Sequence, residues 1–346
     1  MKIGAIPESV LEKVALATGL AAVPVLDTLL AAGLARTLMV ASKLGIFTAL
    51  ADGPRSAAAI AHACGTDAAA TAMLLDALVG CDYLRRDGDA FALAAVARNW
   101  LLPGGKRSLH DHMLLMELVW HWLEHYEEFV RTGRPLDVHR DLDEAGWALY
   151  QRGMRSLAAL ALDEFGLRTP VPRHATALLD IGGSHGAYSA RLCRRHARLS
   201  ATVLDLPQAT RQCAELVRAE GLGDRLRQRE GDARTEDLGL ECWDVVLVSN
   251  LVHHFDDATN RALLARITRA LRPGGVVVVQ EPMRTAEAEH NQIGALGGLY
   301  FAMLSASATW TARDIAGWQR AAGLQPKRPM RFASVPSLAQ QSATKR

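Results

Sequence analysis

The stretch Ala177-Leu-Leu-Asp-Ile-Gly-Gly-Ser-His-Gly-Ala-Tyr-Ser189 is the most informative part of the chain. An apolar run ends in an acid, a pair of glycines follows, and an amphipathic segment begins after a third glycine. This order predicts a strand, a tight turn and a helix, because glycine lets the backbone turn sharply and approach a ligand closely. The first turn of such a helix leaves N–H groups unpaired, and a ligand can use them.

The spacing of the glycines indicates which ligand this turn binds. A dinucleotide-binding fingerprint needs Gly-x-Gly-x-x-Gly, and its second and third glycines would here be Ser184 and Ala187. A nicotinamide or flavin cofactor is therefore disfavoured. An acid directly before the glycines suits a nucleoside that also carries a cationic or amine group, and S-adenosylmethionine is such a ligand. An ordinary strand–helix turn would show the same pattern, so the motif alone leaves that alternative open.

Composition excludes several classes of protein. The chain has 346 residues, of which 49% are hydrophobic and 22% charged, as in a globular protein with one large core or two smaller ones. A formal net charge of +2 gives no electrostatic case for binding nucleic acid. The five cysteines include no Cys-x-x-Cys pair, which argues against a zinc site or a disulfide framework. We therefore predict a protein of the reducing cytoplasm.

Residues 14–34 form the apolar segment that most resembles a membrane or signal sequence. Pro24 and Asp27 interrupt it, and Glu8 and Glu12 precede it, whereas a signal peptide has a basic start and an unbroken apolar run. We interpret the segment as buried or dimer-forming helices rather than as a membrane span. Exposed leucines here would form a patch larger than soluble monomers tolerate, so the sequence predicts a homodimer.

The first hundred residues show a winged-helix pattern. A helix over 57–62 precedes another over 68–80, and a hairpin over 83–93 turns at Asp87-Gly88. The helix over 68–80 contains no Lys, Arg, Asn or Gln, the side chains that contact bases and phosphates. We therefore assign residues 1–104 to a winged-helix-like dimerisation domain rather than to a DNA-binding module.

Residues 105–170 are predicted to form a helical linker and a substrate wall. Within them, 109–131 is predicted as one long helix that is rich in His, Met and Trp. His121 and His125 stand four residues apart and could share a metal, although such a pair is more often structural. Side chains of this kind would suit the pocket of a flat aromatic acceptor, and they would equally suit an ordinary hydrophobic core. The candidate substrate-binding residues are His112, Met113, Met116, Met154, Asn291, Tyr300, Met303 and Leu304.

Strands and helices alternate from residue 171 to residue 346. Strands are predicted over 177–181, 201–206, 243–249 and 275–281, with helices over 209–220 and 260–271 between them. Apolar strands that alternate with helices predict an α/β fold with a doubly wound, mostly parallel sheet. Ligands of such sheets bind at the carboxyl ends of the strands. The acids at these ends are Asp180, Asp205, Asp232 and Glu281. Asp205 can accept hydrogen bonds from a ribose diol, and Asp232 can contact the edge of an adenine.

Together these features resemble the class I S-adenosylmethionine-dependent O-methyltransferases of the caffeate, hydroxyindole and bacterial polyketide type. The resemblance covers nearly the whole chain and includes the N-terminal winged-helix dimerisation module. Its motifs are Leu179-Asp-Ile-Gly-Gly-Ser-His-Gly186, Asp205-Leu-Pro207, Gly231-Asp232, Leu251-Val-His-His-Phe-Asp-Asp257 and Leu271-Arg-Pro-Gly-Gly-Val-Val-Val-Val-Gln-Glu281, with Leu44-Gly-Ile-Phe47 and Leu74-Leu-Asp-Ala-Leu78 in the N-terminal module.

The resemblance implies a role for each matched position. His253 would be the general base and Glu281 the acid that orients it. A phenolic hydroxyl has a pKa of roughly 10, so a neutral histidine has to take its proton during the attack. A carboxylate on the other ring nitrogen would fix the tautomer and stabilise the imidazolium. The residues implied to bind S-adenosylmethionine are Asp180, Gly182, Gly183, Gly186, Asp205, Leu206, Gly231, Asp232, Ala233 and Ser249.

The chain departs from the family pattern around the base. His254 and Phe255 replace the usual Asp and Trp after the base, and Thr309 and Trp310 stand where a second acid and an arginine are usual. These changes leave open the methylation of carbon or nitrogen, on an aromatic amino acid or a 2-oxo acid, and a relative that no longer methylates.

We expect catalysis to need no metal, because the sulfonium group already activates the methyl. A possible ligand set exists in His253, His254, Asp256, Asp257 and His290. If the segment stays extended, however, His253 and His254 point to opposite sides. Asp256 and Asp257 are expected to cap the helix that follows.

Overall fold

The computed structural model describes residues 4–283, 292–305 and 309–346. The chain forms two compact units, of which the first ends at Glu117 and the second begins at Leu118. The division into three parts at residues 104 and 170 remains a prediction.

The first unit is helical with a small antiparallel sheet. Its strands are β1 (Arg55–Ser56), β2 (Leu84–Asp87) and β3 (Ala90–Leu93), in the order β1-β3-β2. Its helices are α1 (Val10–Thr18), α2 (Val23–Val25), which runs through a π-helical turn at Leu26–Leu30 into α3 (Ala31–Lys43), α4 (Ile46–Ala49), α5 (Ala57–Cys64), α6 (Ala68–Gly80), α7 (Ala95–Trp100) and the start of α8 (His110–Leu123).

Local sequence explains the winged-helix portion of this unit. Ser56 caps α5, and Asp67 caps α6 by accepting from the backbone N–H of Ala70 at 2.8 Å. Gly88 has φ of 61° and makes the turn between β2 and β3. The predicted helix over 68–80 and the predicted hairpin are confirmed. Side chains from α4, α5, α6 and the sheet share one apolar core.

The N-terminal helices leave large apolar side chains on the surface of this unit. Leu11 is 78% exposed, Leu20 81% and Leu29 68%. The helical run Val23–Lys43 is long and apolar enough, by length and composition alone, to cross a membrane, and only 6% of its apolar window is buried. Of the two interpretations of this segment, burial within the unit is wrong, and dimer-forming helices remain the prediction.

The second unit is an α/β domain. Its helices are the end of α8, α9 (Tyr126–Thr132), α10 (Val138–Asp141), α11 (Glu144–Ala158), α12 (Leu162–Arg168), α13 (Ala187–Arg195), α14 (Pro207–Ala219), α15 (Asp257–Ala270), α16 (Gln292–Leu304) and α17 (Ala312–Ala321). Its strands are β4 (Ala177–Ile181), β5 (Ser200–Asp205), β6 (Leu226–Glu230), β7 (Trp243–Ser249), β8 (Leu271–Pro282), β9 (Gln325–Pro326), β10 (Met330–Arg331) and β11 (Leu338–Thr344).

The sheet of this unit is mostly parallel and doubly wound. Its strand order is β10-β11-β8-β7-β4-β5-β6, and β9 pairs with β11. Strands β4 to β8 run parallel, whereas β11 is antiparallel to β8. The predicted fold class is therefore confirmed. The order reverses beside β4, so the carboxyl ends of β4, β5 and β7 open onto one crevice where ligands of such sheets bind.

The sheet is covered on both faces because most side chains of its central strands are apolar. On β7, Val245 and Leu247 join the core on one face, and Val246 and Val248 join the core on the other. Both faces are thus removed from water, as in parallel sheets whose helices pack on either side. This burial fixes the strand ends, and with them the side chains that follow each strand.

The predicted helix over 109–131 is interrupted in the structure. Helix α8 ends at Leu123, and α9 begins at Tyr126. His121 and His125 therefore do not share one continuous helix face, and His125 Nε2 lies 3.2 Å from the carbonyl oxygen of Arg134. A metal shared by these two residues would need both on one helix face, and that premise is wrong.

Candidate active site

A cavity of about 430 Å³ lies at the carboxyl ends of the parallel strands in the second unit. Its volume falls in the range usual for small-molecule sites. Eleven of the residues predicted to bind cofactor or substrate line it: Met154, Asp180, Gly182, Gly183, Asp205, Leu206, Gly231, Asp232, Ala233, Ser249 and Leu304.

Asp180 lies one residue before the end of β4 and brings a buried carboxylate to this cavity. Its Oδ2 accepts from Ser189 Oγ at 2.7 Å, whereas its Oδ1 is buried and has no partner among the described residues. Burial raises the pKa of Asp180 to about 7, despite the bond from Ser189. A Cβ atom at Gly183 would lie 2.5 Å from Asp180 Cγ, so only glycine lets the turn pass this close. The unpartnered oxygen is an acceptor for a cationic ligand group.

Asp205 ends β5 and is tied to the glycine turn. Its Oδ2 accepts from the backbone N–H of Ser184 at 2.8 Å, and its Oδ1 accepts from its neighbour Leu206 at the same distance. Burial raises the pKa of Asp205 to about 6, although both bonds favour the charged form. Each carboxylate oxygen has a second lone pair, so the side chain can also accept from a ligand diol. Gly186, by contrast, does not line the cavity and begins α13 with φ of 68°.

Asp232 follows β6 and already has a partner. Arg234 Nε lies 3.0 Å from both carboxylate oxygens, and Arg234 Nη2 lies 2.6 Å from Oδ2. The hydrogen bonds from Arg234 lower the pKa of Asp232. The guanidinium of Arg266 in turn bonds the carbonyl oxygens of Ala233 and Arg234, which holds this loop against α15. A ligand amine that uses Asp232 has to share it with Arg234.

His253 and Glu281 form a buried pair beside the cavity. Nδ1 of His253 lies 2.6 Å from Glu281 Oε2. The other carboxylate oxygen, Oε1, accepts from the backbone N–H groups of Leu251 at 2.7 Å and Val252 at 2.8 Å. His253 is 5% exposed and Glu281 2%. A carboxylate held in this way accepts the proton on Nδ1, which leaves Nε2 as the basic nitrogen.

His254 and Ser305 line the cavity, whereas His253 and Glu281 are not among its lining residues. The centroid of the His253 ring is 4.2 Å from that of His254 and 4.5 Å from that of Phe301. Ser305 Oγ donates to the carbonyl oxygen of His253 at 2.8 Å. The predicted base is thus connected to the cavity through the two lining residues that it contacts, His254 and Ser305.

The segment that carries both histidines is a turn of 3-10 helix, Val252–His254. The premise that it stays extended is wrong, so the two rings do not point to opposite sides. Trp310 Nε1 donates to the carbonyl oxygen of Val252 at 3.0 Å, and Asn260 Nδ2 donates to the same oxygen at 2.9 Å. Trp310, which the sequence analysis noted only as a departure from the family pattern, therefore stabilises this turn.

The acids after the turn behave as helix residues rather than ligands. Asp256 Oδ1 accepts from the backbone N–H of Thr259 at 2.8 Å, so the predicted cap of α15 is confirmed for Asp256. Asp257 pairs with Arg261 and accepts from Trp318 Nε1. Over residues 4–283, 292–305 and 309–346, no group of three or more His, Cys, Asp or Glu side chains could hold a metal ion. Metal independence stays a prediction.

The remaining substrate candidates are dispersed. Met303 is fully buried in a cluster with Val138 and Leu304, against which Tyr300 packs. His112, Met113 and Met116 belong to the first unit, where Met113 packs against the apolar core. Asn291 and His290 lie outside the described residues. The substrate role of all these residues stays a prediction.

Sequence reasoning missed several residues of the cavity wall. Trp147, Tyr150 and Gln151 line it together with the predicted Met154. The four are spaced at helical intervals along one face of α11, and that spacing was the available signal. His139 on α10, His185 and Arg234 also line it. His185 lies within the glycine motif but was not singled out, and nothing in the immediate sequence of His139 or Arg234 marked them.

Comparisons with known proteins agree with this geometry. Residues 120–325 match the model of the O-methyltransferase domain family, and residues 26–103 match that of the O-methyltransferase dimerisation domain. A 3-hydroxy-5-methyl-1-naphthoate 3-O-methyltransferase of Streptomyces sahachiroi is 30% identical over 90% of this chain and 92% of its own length. An N,N-dimethyltransferase of Streptomyces rimosus is 30% identical over 72% of this chain and 75% of its own.

Solved structures share the fold. Human N-acetylserotonin methyltransferase, in complex with S-adenosylmethionine, superposes with a TM-score of 0.80 at 19% identity and covers 99% of both chains. At this identity the likeness shows a common fold.

Proposed function

The chain belongs to the S-adenosylmethionine-dependent O-methyltransferases that carry a dimerisation domain, and we propose that its acceptor is a hydroxyl of a small aromatic secondary metabolite, with His253 as the general base. The observation that carries the proposal is the buried His253–Glu281 pair at the edge of a cavity whose wall carries Asp180, Asp205 and Asp232.

The acids at the strand ends fit the methyl donor, which supplies an electrophilic methyl group on its sulfonium sulfur when bound. The unpartnered Oδ1 of Asp180 is placed to accept from the ammonium of the methionine portion. Asp205 accepts from the ribose hydroxyls with the lone pairs that Ser184 and Leu206 leave unused. Asp232 accepts from the adenine amino group. Gly182 and Gly183 let the backbone approach the donor, and Gly186 begins the helix behind it.

The His253–Glu281 pair supplies the proton acceptor. Because Glu281 binds Nδ1, the lone pair on Nε2 is available to a hydroxyl that reaches the wall beside His254 and Ser305. Glu281 holds the ring in this tautomer and stabilises the imidazolium that forms. General-base catalysis of this kind contributes typically 10²–10⁴-fold, and alignment of oxygen, methyl and sulfur supplies most of the rest.

Two measurements test the proposal. Calorimetry with S-adenosylmethionine and with S-adenosylhomocysteine is expected to show one site per chain. Incubation with a panel of phenols, naphthols and hydroxyquinones is then expected to give products heavier by one methyl group in the mass spectrum. Absence of binding to both cofactor forms would contradict the proposal.

Transfer to nitrogen is the second candidate, because one of the relatives is an N,N-dimethyltransferase. A neutral amine attacks with its own lone pair and needs no base before the attack. Replacing His253 is therefore expected to impair methylation of a phenol far more than methylation of an aniline of the same shape. Equal turnover of an aniline by the wild type and by the His253 variant, with phenols refused by both, would favour nitrogen as the acceptor.

We further propose that the first unit dimerises and that the enzyme acts in the cytoplasm. The match of residues 26–103 to a dimerisation domain and the exposed leucines of the N-terminal helices support the dimer. A second copy would cover the apolar Val23–Lys43 run, so the proposal needs no membrane.

A further inference from the structure

Two imidazoles at the acceptor end of the cavity have no part in the proposed proton transfer. His254, from the 3-10 turn, and His139, from α10, both line the cavity. Their rings meet edge to face, with centroids 4.9 Å apart and planes inclined by 78°. His254 also packs against the proposed base His253, with centroids 4.2 Å apart. A ligand group that reaches His253 therefore comes within reach of His254 as well.

Desolvation favours the neutral form of both rings. Desolvation lowers the pKa of His139, and it lowers the pKa of His254 well below the usual value, with the neighbouring histidines adding to the effect on His254. A neutral imidazole offers one N–H donor and one acceptor nitrogen. It can bind either a hydroxyl or a carbonyl oxygen, and it offers no charge to a carboxylate or a phosphate.

The protein itself satisfies little of this hydrogen-bonding capacity. His139 Nε2 lies 3.4 Å from the hydroxyl of Tyr150, at the long end for such a bond. Neither ring nitrogen of His254 has a hydrogen-bond partner within residues 4–283, 292–305 and 309–346. An aromatic ligand that covers this wall shields these nitrogens from water, so they are left unsatisfied unless the ligand itself bonds them.

We propose that His254, held by His139, is a specificity-determining residue that binds a second oxygen of the acceptor, carried ortho or peri to the hydroxyl that is methylated. The separation of the two histidine rings is what selects these positions. The two rings are in contact, with centroids 4.2 Å apart, so a hydroxyl that meets His253 and an oxygen that meets His254 are best matched by adjacent carbons of one ring or by the peri positions of two fused rings. The inference rests on the proposed function, since it specifies the acceptor of the same site.

The structure also indicates how His254 is held in place. His139 packs against Trp147 at 5.5 Å and against Tyr150 at 5.4 Å between ring centroids. These aromatic contacts fix His139, which in turn limits the rotation of His254. His139 is thus a positioning residue, and its loss is expected to weaken the same selectivity to a smaller degree.

The test compares three naphthols that differ only in the second oxygen: 2,3-dihydroxynaphthalene, 2-naphthol and 2,6-dihydroxynaphthalene. Each diol has two equivalent hydroxyls, so the 2,6-diol is expected to exceed 2-naphthol in kcat/KM only by this statistical factor of about two. The wild type is expected to prefer the 2,3-diol to the 2,6-diol by about three- to tenfold in kcat/KM, the effect of one neutral hydrogen bond. The preference should arise mainly from KM.

Two variants isolate His254. In His254→Phe, which keeps an aromatic ring and its packing, the ratio of kcat/KM for the 2,3-diol to that for the 2,6-diol is expected to fall toward one. In His254→Gln, whose amide can still bond an oxygen, part of the ratio is expected to remain. A merely structural role would lower turnover of both diols and leave the ratio unchanged.

Three outcomes would overturn the inference: an unchanged ratio in His254→Phe, an equal preference for the 2,6-diol, or a wild type that binds S-adenosylmethionine and methylates none of the three naphthols. A wild type that does not bind S-adenosylmethionine would contradict the proposed function instead, so the two failures are distinguishable.

Discussion

Glu281 divides its carboxylate between a backbone turn and the ring of His253. One oxygen accepts from the N–H groups of Leu251 and Val252, and the other lies 2.6 Å from His253 Nδ1. The carboxylate therefore fixes both the position of the turn and the tautomer of the histidine that the turn carries.

Glu281→Gln is expected to lose about as much activity as His253→Ala, with a drop in kcat of about 10²–10⁴-fold in each. The glutamine has to keep its carbonyl oxygen toward the two backbone N–H groups, so its NH₂ group faces Nδ1. It then donates to Nδ1 and leaves the proton on Nε2, which is the wrong tautomer for a base. Single-turnover kinetics with an identified phenol measure the loss.

The control for both variants is the affinity for S-adenosylmethionine by calorimetry, which is expected to stay close to that of the wild type. Turnover by Glu281→Gln at the wild-type rate would show that the tautomer of His253 is irrelevant and that another group accepts the proton.

Arg234→Ala is expected to tighten the binding of S-adenosylmethionine, by up to about fivefold. Arg234 occupies both oxygens of Asp232 in the structure, and a partly exposed ion pair of this kind is worth at most about 1 kcal/mol. Removing the guanidinium frees Asp232 for the adenine amino group. Calorimetric titrations of wild type and variant at two salt concentrations measure the change, which should shrink at high salt because the pair is screened.

Arg227→Ala is a matched control, since Arg227 pairs with the exposed Asp224 and does not line the cavity. Weaker binding by Arg234→Ala would mean that the guanidinium contacts the cofactor itself rather than competing with it.

The protein is expected to run as a dimer of twice its 37.4 kDa chain mass in light scattering. Leu20, Leu29 and Leu30 are 81%, 68% and 58% exposed within the chain, and an obligate dimer interface buries at least about 2,000 Å² in total. Leu29→Glu with Leu30→Glu is expected to shift the protein to the monomer mass. A wild-type monomer at micromolar concentration, or co-sedimentation of the wild type with lipid vesicles, would contradict a dimer that covers this segment.

The sequence predicted the sheet well because the residues at the ends of its strands mark where those strands stop. Strands β4 and β7 have the predicted bounds, since β4 ends at Ile181 directly before Gly182 and β7 ends at the polar Ser249. The break between α8 and α9 was missed because the apolar and aromatic pattern continues through Glu124 and His125, with no glycine or proline to mark it.

The site was predictable only where a residue follows its own strand. Asp180, Asp205 and Asp232 were found in this way, since the carboxyl end of a parallel strand is a position that sequence alone can identify. The contact of His139 with His254 joins two segments far apart in the chain, and the 3-10 turn depends on bonds from Asn260 and Trp310. Such tertiary contacts leave no local pattern to read.

Asp180→Asn is expected to weaken the binding of S-adenosylmethionine by about 10- to 100-fold, because the ammonium of the methionine portion loses a charged acceptor. The same substitution is expected to raise stability relative to the wild type at alkaline pH. Burial raises the pKa of Asp180 from 3.8 in the unfolded chain to about 7 in the folded one. Between these values the folded wild type holds a proton that the unfolded chain has lost, so its stability falls as pH rises through this window.

Asparagine carries no such proton, so the melting temperature of the variant minus that of the wild type is expected to increase from about pH 4 to about pH 8. Other buried groups, such as Asp205 and His185, are present in both proteins and largely cancel in this difference. Scanning calorimetry across the range, without cofactor, measures it. A difference that does not change with pH would mean that Asp180 is ionised in the folded protein throughout, and that its unpartnered oxygen costs the fold nothing.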